Sequence, residues 1–122
     1  FATSDFISLH LKLSPRVTGI VGAAELSLMK PDSYLVNTSR GPLIDVPALC
    51  DALRAGQIAG AAIDVFDVEP LPADDVMRKT PNLLMTPHIG YVTNETMSIF
   101  YGQTCESLEA YLAGSPIRLL SA

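Results

Sequence analysis

With 122 residues, 48% of them hydrophobic and 17% charged, the chain has the length and composition of one globular domain with a buried core. A net charge of −5 and a pI near 4.7 argue against a nucleic-acid partner, because no basic cluster exists to displace phosphate counterions. No apolar run approaches the ~20 residues of a membrane span. Cys50 and Cys105 form neither a disulfide framework nor a metal-ligand pair; one bridge is possible on count, but buried or partly buried free thiols in a cytoplasmic protein are expected.

The chain opens at Phe1 without a methionine or a signal peptide, and runs directly into Phe6–Leu9, a short apolar stretch that predicts the first strand. This has the texture of the middle of something longer. Ser14-Pro15 carries a capping hydroxyl and a proline at a first helical position, which predicts a helix start. Leu26 and Met29 repeat at helical spacing over Ala23 to Lys30, with Lys30 at the negative end of the helix dipole and Pro31 ending the helix. A strand over Tyr34 to Asn37 follows after a short connection. Asp45 takes the position of an N-cap and Pro47 the first turn of a second helix, Val46 to Ala55, which turns Leu49 and Leu53 inward and stops at Gly56.

The run from Ala61 to Phe66 is almost wholly apolar, without the alternation of a half-exposed strand, and predicts a strand covered on both faces in a parallel sheet. Asp64 breaks it. A carboxylate there either caps a nearby loop or lies at the strand's end facing a crevice, since burying it unpaired costs several kcal/mol. Two other strand-like runs also end in polar residues: Ser33 to Asn37 leads into Thr38-Ser39-Arg40-Gly41-Pro42, and Asn82 to Thr86 leads into Pro87-His88-Ile89-Gly90. In open parallel sheets ligands bind outside the carboxyl ends of the strands. Arg40, Glu69 and His88 all fall there. The connection from Asp67 to Asn82, rich in proline and acid, is long enough to be functional.

After His88 one amphipathic segment begins at Thr93 or Asn94 and runs to Leu112. Met97, Phe100, Tyr101, Cys105, Leu108 and Leu112 share a face, opposite Glu95, Gln103, Glu106 and Glu109, which predicts a helix packed on a core. Gly114-Ser115-Pro116 ends it, and Ile117 to Leu120 is an apolar tail.

Five blocks carry a resemblance. Ser4-Asp5-Phe6-Ile7-Ser8-Leu9-His10-Leu11, Gly22 to Pro31, Asn37-Thr38-Ser39-Arg40-Gly41, Gly60 to Pro70, and Thr86-Pro87-His88-Ile89-Gly90, in this order, resemble the signature blocks of the D-isomer-specific 2-hydroxyacid dehydrogenases. The resemblance implies an α/β fold, the second half of a doubly wound, Rossmann-like parallel sheet of about four strands with a long C-terminal helix. It divides the chain into half-Rossmann βαβ units over 1–91, a returning helix over 92–113 and a tail over 114–122, all from the C-terminal portion of the NAD-binding domain. A glycine-rich phosphate loop and a substrate domain would precede Phe1, and no Gly-x-Gly-x-x-Gly is present in the 122 residues.

The implied reaction is reversible hydride transfer between NAD(H) and a small 2-hydroxy or 2-keto acid. Such chemistry needs a group for the substrate carboxylate, which a guanidinium such as Arg40 serves with paired hydrogen bonds, and an acid–base near neutrality, which His88 supplies. Glu69 is the carboxylate expected to orient His88. Without the surrounding blocks, Arg40 also reads as a surface arginine near Asp45, and His88 as a satisfied loop histidine. By resemblance, Asp64, Thr38, Ser39 and the Gly90 backbone line the nicotinamide side, while His10 and Leu11 contact the adenosine half. Lys12 and Ser14 stand where that block more usually has proline and threonine, and Tyr91 where a small residue is common. NAD and NADP are both compatible, because the residue reading the ribose 2′ position would lie upstream.

A corepressor or scaffold of the same fold that senses the nucleotide is the alternative reading, and a chain that folds and associates without turnover is a third. As isolated, the chain is expected to be catalytically inert, and the long helix to favour a homodimer. Neither a Gly-x-Ser-x-Gly hydrolase elbow nor metal-ligand spacing between His10 and His88 occurs.

Overall fold

The computed structural model describes residues 1–120, so the end of the tail expected over 114–122 lies outside the described residues. The chain divides into two compact units, Phe1–Ile89 and Gly90–Ala122. In the first, β1 (Phe6–Leu9), β2 (Tyr34–Asn37), β3 (Gly60–Ile63) and β4 (Leu83–Met85) pair side by side in chain order, every pair parallel. All four carboxyl ends therefore share one edge of the sheet.

The register sorts the side chains onto two unlike faces. Ile7, Leu35, Ala61 and Leu83 align across the sheet, as do Leu9, Asn37, Ile63 and Met85. The apolar members of these rows belong to or pack against one core, together with Leu26 of α1 (Ala23–Leu28) and Leu49 and Leu53 of α2 (Val46–Arg54). On the other face Phe6 and Tyr34 stack at 5.3 Å and Leu84 is exposed. β3 has no exposed residue, with Gly60, Ala61 and Ile63 buried and Ala62 half-buried, so the expected buried central strand of a parallel sheet is present, fully covered on the core face and partly on the other.

Local chemistry accounts for the helices. Asp45 accepts a hydrogen bond from the Ala48 N–H at 3.0 Å, Pro47 sits in the first turn of α2, and Gly56 at φ 63° closes its end in a conformation that favours glycine. For α1, the Gly22 N–H donates to Glu25 at 3.0 Å, and extended backbone at Met29 ends the helix before Pro31.

Three expectations are corrected. Ser14-Pro15 starts only a turn, in which the Val17 and Thr18 N–H groups donate to the Ser14 carbonyl at 3.0 and 3.2 Å. Gly19 at φ 65° then turns the chain toward Pro42, whose carbonyl accepts its N–H at 2.8 Å, so no helix propagates. Lys30 lies beyond the end of α1 and pairs with Asp5 instead, an ion pair whose hydrogen bond holds the ammonium above its usual range. Cys50 is a buried free thiol, but Cys105 is exposed.

The second unit is dominated by α3 (Asn94–Leu112). Thr93 caps it, accepting the Thr96 N–H at 3.1 Å, and Gly114 at φ 72° follows its end. No residue of α3 is buried, so the expectation of a core-packing helix is not met in this chain: Phe100, Tyr101, Leu108 and Leu112 are exposed. Among the described residues, no helix is long and apolar enough to cross a membrane.

Candidate active site

Loops leaving the ends of β2, β3 and β4 carry the residues singled out by the sequence. At the end of β2, Asn37 is fully buried and spends its amide twice: Nδ2 donates to the Arg40 carbonyl at 2.9 Å and Oδ1 accepts the Ser39 N–H at 3.0 Å. A buried amide bonded at both ends fixes the turn that presents Arg40 on the surface. Arg40 also donates from Nη1 to the Ser39 carbonyl at 2.6 Å.

The next residue joins this loop to its neighbour. A Cβ on Gly41 would stand 2.3 Å from the Phe66 carbonyl carbon and 2.6 Å from the Asp67 nitrogen, both backbone atoms. Only glycine permits that approach. The Arg40 loop and the Glu69 loop are therefore in backbone contact.

At the end of β3, Asp64 is 4% exposed, and its Oδ1 accepts the Thr86 hydroxyl at 2.5 Å and the Ile89 N–H at 2.9 Å. It thus grips both flanks of Pro87-His88. His88 itself sits at φ 57°, where a non-glycine residue costs about 1–2 kcal/mol, and its N–H donates to the Thr86 carbonyl at 3.0 Å. The two Asp64 hydrogen bonds hold the segment in that strained conformation.

Glu69 completes the group. Oε1 accepts the Phe66 N–H at 2.9 Å, and Oε2 lies 2.7 Å from His88 Nδ1. A carboxylate only accepts, so Nδ1 carries the hydrogen. The hydrogen bond from His88, then that from Phe66, then the charges of His88 and Arg40 hold the Glu69 carboxyl below the usual carboxylate range. Two residues earlier, Asp67 is pushed the other way, first by loss of hydration and then by Asp75.

A cleft of about 520 Å³ opens beside the Glu69–His88 pair, walled by Phe66, Leu71, Met85 and Pro87, with Arg78 at its side. Arg40 lines another cleft, of about 360 Å³, with His10, Leu11, Lys12, Leu13 and Ser39. Ser39 Oγ donates to the Leu11 carbonyl at 2.7 Å and so ties the β1 and β2 loops together, while His10 Nε2 lies 2.8 Å from Ser8 Oγ. Thr38 is exposed at the end of β2, and Gly90 is the first residue of the second unit. Among the described residues no group of three His, Cys, Asp or Glu could hold a metal ion.

Sequence reasoning gave no role to Asn37, Thr86 or Arg78. Asn37 had a signal, a polar residue ending an apolar run as Asp64 does. Thr86 and Arg78 had none, because their partners are fixed only by folding: Arg78 donates to the Pro72 and Leu71 carbonyls at 2.8 and 2.7 Å.

Residues 1–90 match the family model of the D-isomer specific 2-hydroxyacid dehydrogenase, NAD binding domain. The D-3-phosphoglycerate dehydrogenase of Escherichia coli K12 is 50% identical over 96 residues, which cover 75% of this chain and 23% of that protein. Among solved structures, D-lactate dehydrogenase with NAD+ from Lactobacillus jensenii superposes with a TM-score of 0.80 at 28% identity, over 99% of this chain and 40% of that one. An acyclic imino acid reductase in complex with NADPH and D-Arg does so with a TM-score of 0.77 at 33% identity, over 98% of this chain and 38% of that one. The chain therefore spans between about a quarter and two fifths of the length of these relatives.

Proposed function

The chain belongs to the D-isomer specific 2-hydroxyacid dehydrogenase family, within its NAD-binding domain, and from that premise we propose that it carries the catalytic residues for reversible hydride transfer between NAD(H) or NADP(H) and a D-2-hydroxy acid. The observation that carries the proposal is the 2.7 Å contact between His88 Nδ1 and Glu69. A carboxylate partner calls for the Nδ1–H tautomer, and in the proposed reaction Nε2 takes the hydroxyl proton when substrate is oxidised and returns it to the ketone oxygen when substrate is reduced. Glu69 orients the ring and opposes the positive charge of the protonated form. Arg40, turned outward by Asn37, holds the substrate carboxylate through paired hydrogen bonds.

The residues present fit the nicotinamide end of a dinucleotide: Asp64 is a buried carboxylate at the end of a central strand, as a crevice binding a polar carboxamide requires. Asp64, Thr38 and Ser39 would hold that end, and His10 and Leu11 the adenosine half. When bound, the cofactor supplies the hydride donor or acceptor. Relatives whose structures hold NAD+ and NADPH make both forms candidates. Free thiols at Cys50 and Cys105 fit a cytoplasmic enzyme.

The test is oxidation of NADH by glyoxylate or hydroxypyruvate in the full-length protein. His88→Gln is expected to lower kcat by roughly 10²–10⁴-fold. Glu69→Gln is expected to change the pH profile of reduction while Arg40→Gln mainly raises KM for the keto acid. A His88→Gln enzyme as fast as the parent, or an unchanged pH profile in Glu69→Gln, contradicts the assignment.

A further inference from the structure

Arg78 borders the same cleft as Glu69 and His88, yet its guanidinium is turned to the backbone. Nε donates to the Pro72 carbonyl at 2.8 Å and Nη2 to the Leu71 carbonyl at 2.7 Å. Among the described residues it forms no ion pair with a carboxylate. A planar fork bonded to two consecutive carbonyls fixes both their spacing and their direction, which a rotating ammonium cannot do. Leu71 and Pro72 directly follow Glu69-Pro70, so the fork grips the outgoing arm of the Glu69 loop.

The grip is anchored in the core. Arg78 stands on the 3₁₀ turn Val76–Lys79, whose Met77 is buried and whose start is capped by Asp75, which accepts the Met77 N–H at 2.9 Å. Thr80 Oγ donates to the Val76 carbonyl at 3.0 Å, and Arg54 of α2 reaches that hydroxyl at 3.3 Å. Contacts thus run from α2 through the turn and Arg78 to the loop. The incoming arm is held separately, by Gly41 against the Phe66 and Asp67 backbone and by the Phe66 N–H on Glu69 Oε1 at 2.9 Å. A loop held on one arm pivots; held on both, it keeps Glu69 Oε2 at 2.7 Å from His88 Nδ1. The charges that act on the Glu69 carboxyl are those of His88 and Arg40, not of Arg78.

We infer that Arg78 is a positioning residue for Glu69, holding the loop beyond it so that the carboxylate meets His88. The inference rests on the catalytic reading above for its effect on turnover, but not for its effect on the placement of Glu69.

The experiment uses the full-length protein and four variants. Arg78→Met keeps the apolar stem and removes the donors, Arg78→Lys keeps the charge and removes the fork, and Glu69→Gln is made alone and combined with Arg78→Met. Arg78 is exposed, so its substitution leaves the core intact. Arg78→Met is expected to lower kcat for keto-acid reduction about tenfold, part of the roughly 10²–10⁴-fold that a positioned acid–base contributes, and to move the pH profile as Glu69→Gln does. Arg78→Lys should resemble Arg78→Met. In the Glu69→Gln background Arg78→Met should cost little more, because no carboxylate is left to place. An unchanged kcat in Arg78→Met overturns the inference. So does an equal loss in both backgrounds, which makes Arg78 merely structural, or an Arg78→Lys enzyme equal to the parent, which makes its charge the agent. Carboxyl-carbon NMR of Glu69 gives an answer without turnover. Both Arg78 variants should let the Glu69 titration midpoint rise toward the ordinary carboxylate range, and an unchanged midpoint overturns the inference. If the parent reduces no 2-keto acid with NADH or NADPH, the catalytic reading fails and the midpoint alone decides the placement of Glu69.

Discussion

Helix α3 and the loops at the ends of β2, β3 and β4 are held by opposite means. The helix spans 19 residues, is capped by Thr93 and followed by Gly114, and has no buried residue, so its form follows from local sequence. The loops have little regular structure, yet each is fixed by a contact with a residue on another strand or loop: Gly41 against Phe66, Asp64 with Thr86 and Ile89, Glu69 with His88. Regularity and rigidity are thus separate properties in this chain. The loops, though irregular, are the better determined by packing, which is what the acid–base chemistry proposed for His88 would require.

The contact at Gly41 is the place to break this comparison. Gly41→Ala drives a methyl group into backbone that cannot turn aside, so the loops must separate, at a cost of about 3 kcal/mol. Denaturant unfolding followed by a probe in the first unit should show the loss, while the helicity of α3 stays as it was. If unfolding is unchanged, the two loops are not in the close contact described. Asn37→Ala comes next. Removing a fully buried amide orphans the Ser39 N–H and the Arg40 carbonyl, an expected cost of about 2 kcal/mol. Because Arg40 loses its fixed turn, KM for the keto acid should rise more than kcat falls. A fall in kcat with KM unchanged would show that Asn37 supports the fold and not the placement of Arg40. Thr93→Ala is smaller and falls on the other side of the comparison. About 1 kcal/mol should be lost from the first turn of α3, visible as amide exchange near Thr96, with the first unit unaffected.

These cases also mark what the sequence could disclose. Strands β1 and β2, the Asp45 cap, Pro47 and Gly56 were legible because each depends on a neighbour a few residues away. So was the span of α3, from its cap to Leu112. The fate of its apolar side chains was not, because periodicity states that a face is apolar and not what lies against it. Ser14-Pro15 carried a helix-start signal, but Gly19 and the Pro42 carbonyl, a partner 23 positions further on, redirected the chain. Around the site, the residue types at Arg40, Glu69 and His88 were visible, and so was the idea of a carboxylate beside the histidine. The clamp of Asp64 on Thr86 and Ile89 was not, since it spans 22 and 25 residues and no spacing rule links them. Nor does a sequence show that Gly41 is required by a peptide on the next strand's loop.

The smallest expected effects are the most pointed, because they oppose each other two residues apart on one loop. Glu69 has a folded-state pKa below its unfolded value, chiefly through the hydrogen bond from His88, so ionisation favours the folded state. Its contribution is fully present above the unfolded carboxylate range, near pH 4.5, and is lost as pH falls through the lowered folded value. Asp67 has a folded-state pKa above its unfolded value through loss of hydration and the nearby Asp75, so ionisation disfavours the folded state. That penalty is fully present once pH exceeds the raised folded value and disappears below the unfolded range, near pH 4. Both side chains keep contact with solvent, which limits each effect to a few tenths of a kcal/mol. Asp67→Asn should therefore stabilise the first unit slightly at neutral pH, and Glu69→Gln should destabilise it there, with both differences from the parent vanishing in strong acid. Unfolding curves across pH 2–7 would test the pair. Shifts of the same sign in the two variants would mean that their carboxylates share one environment, and that Glu69 is not distinguished from its neighbour by His88.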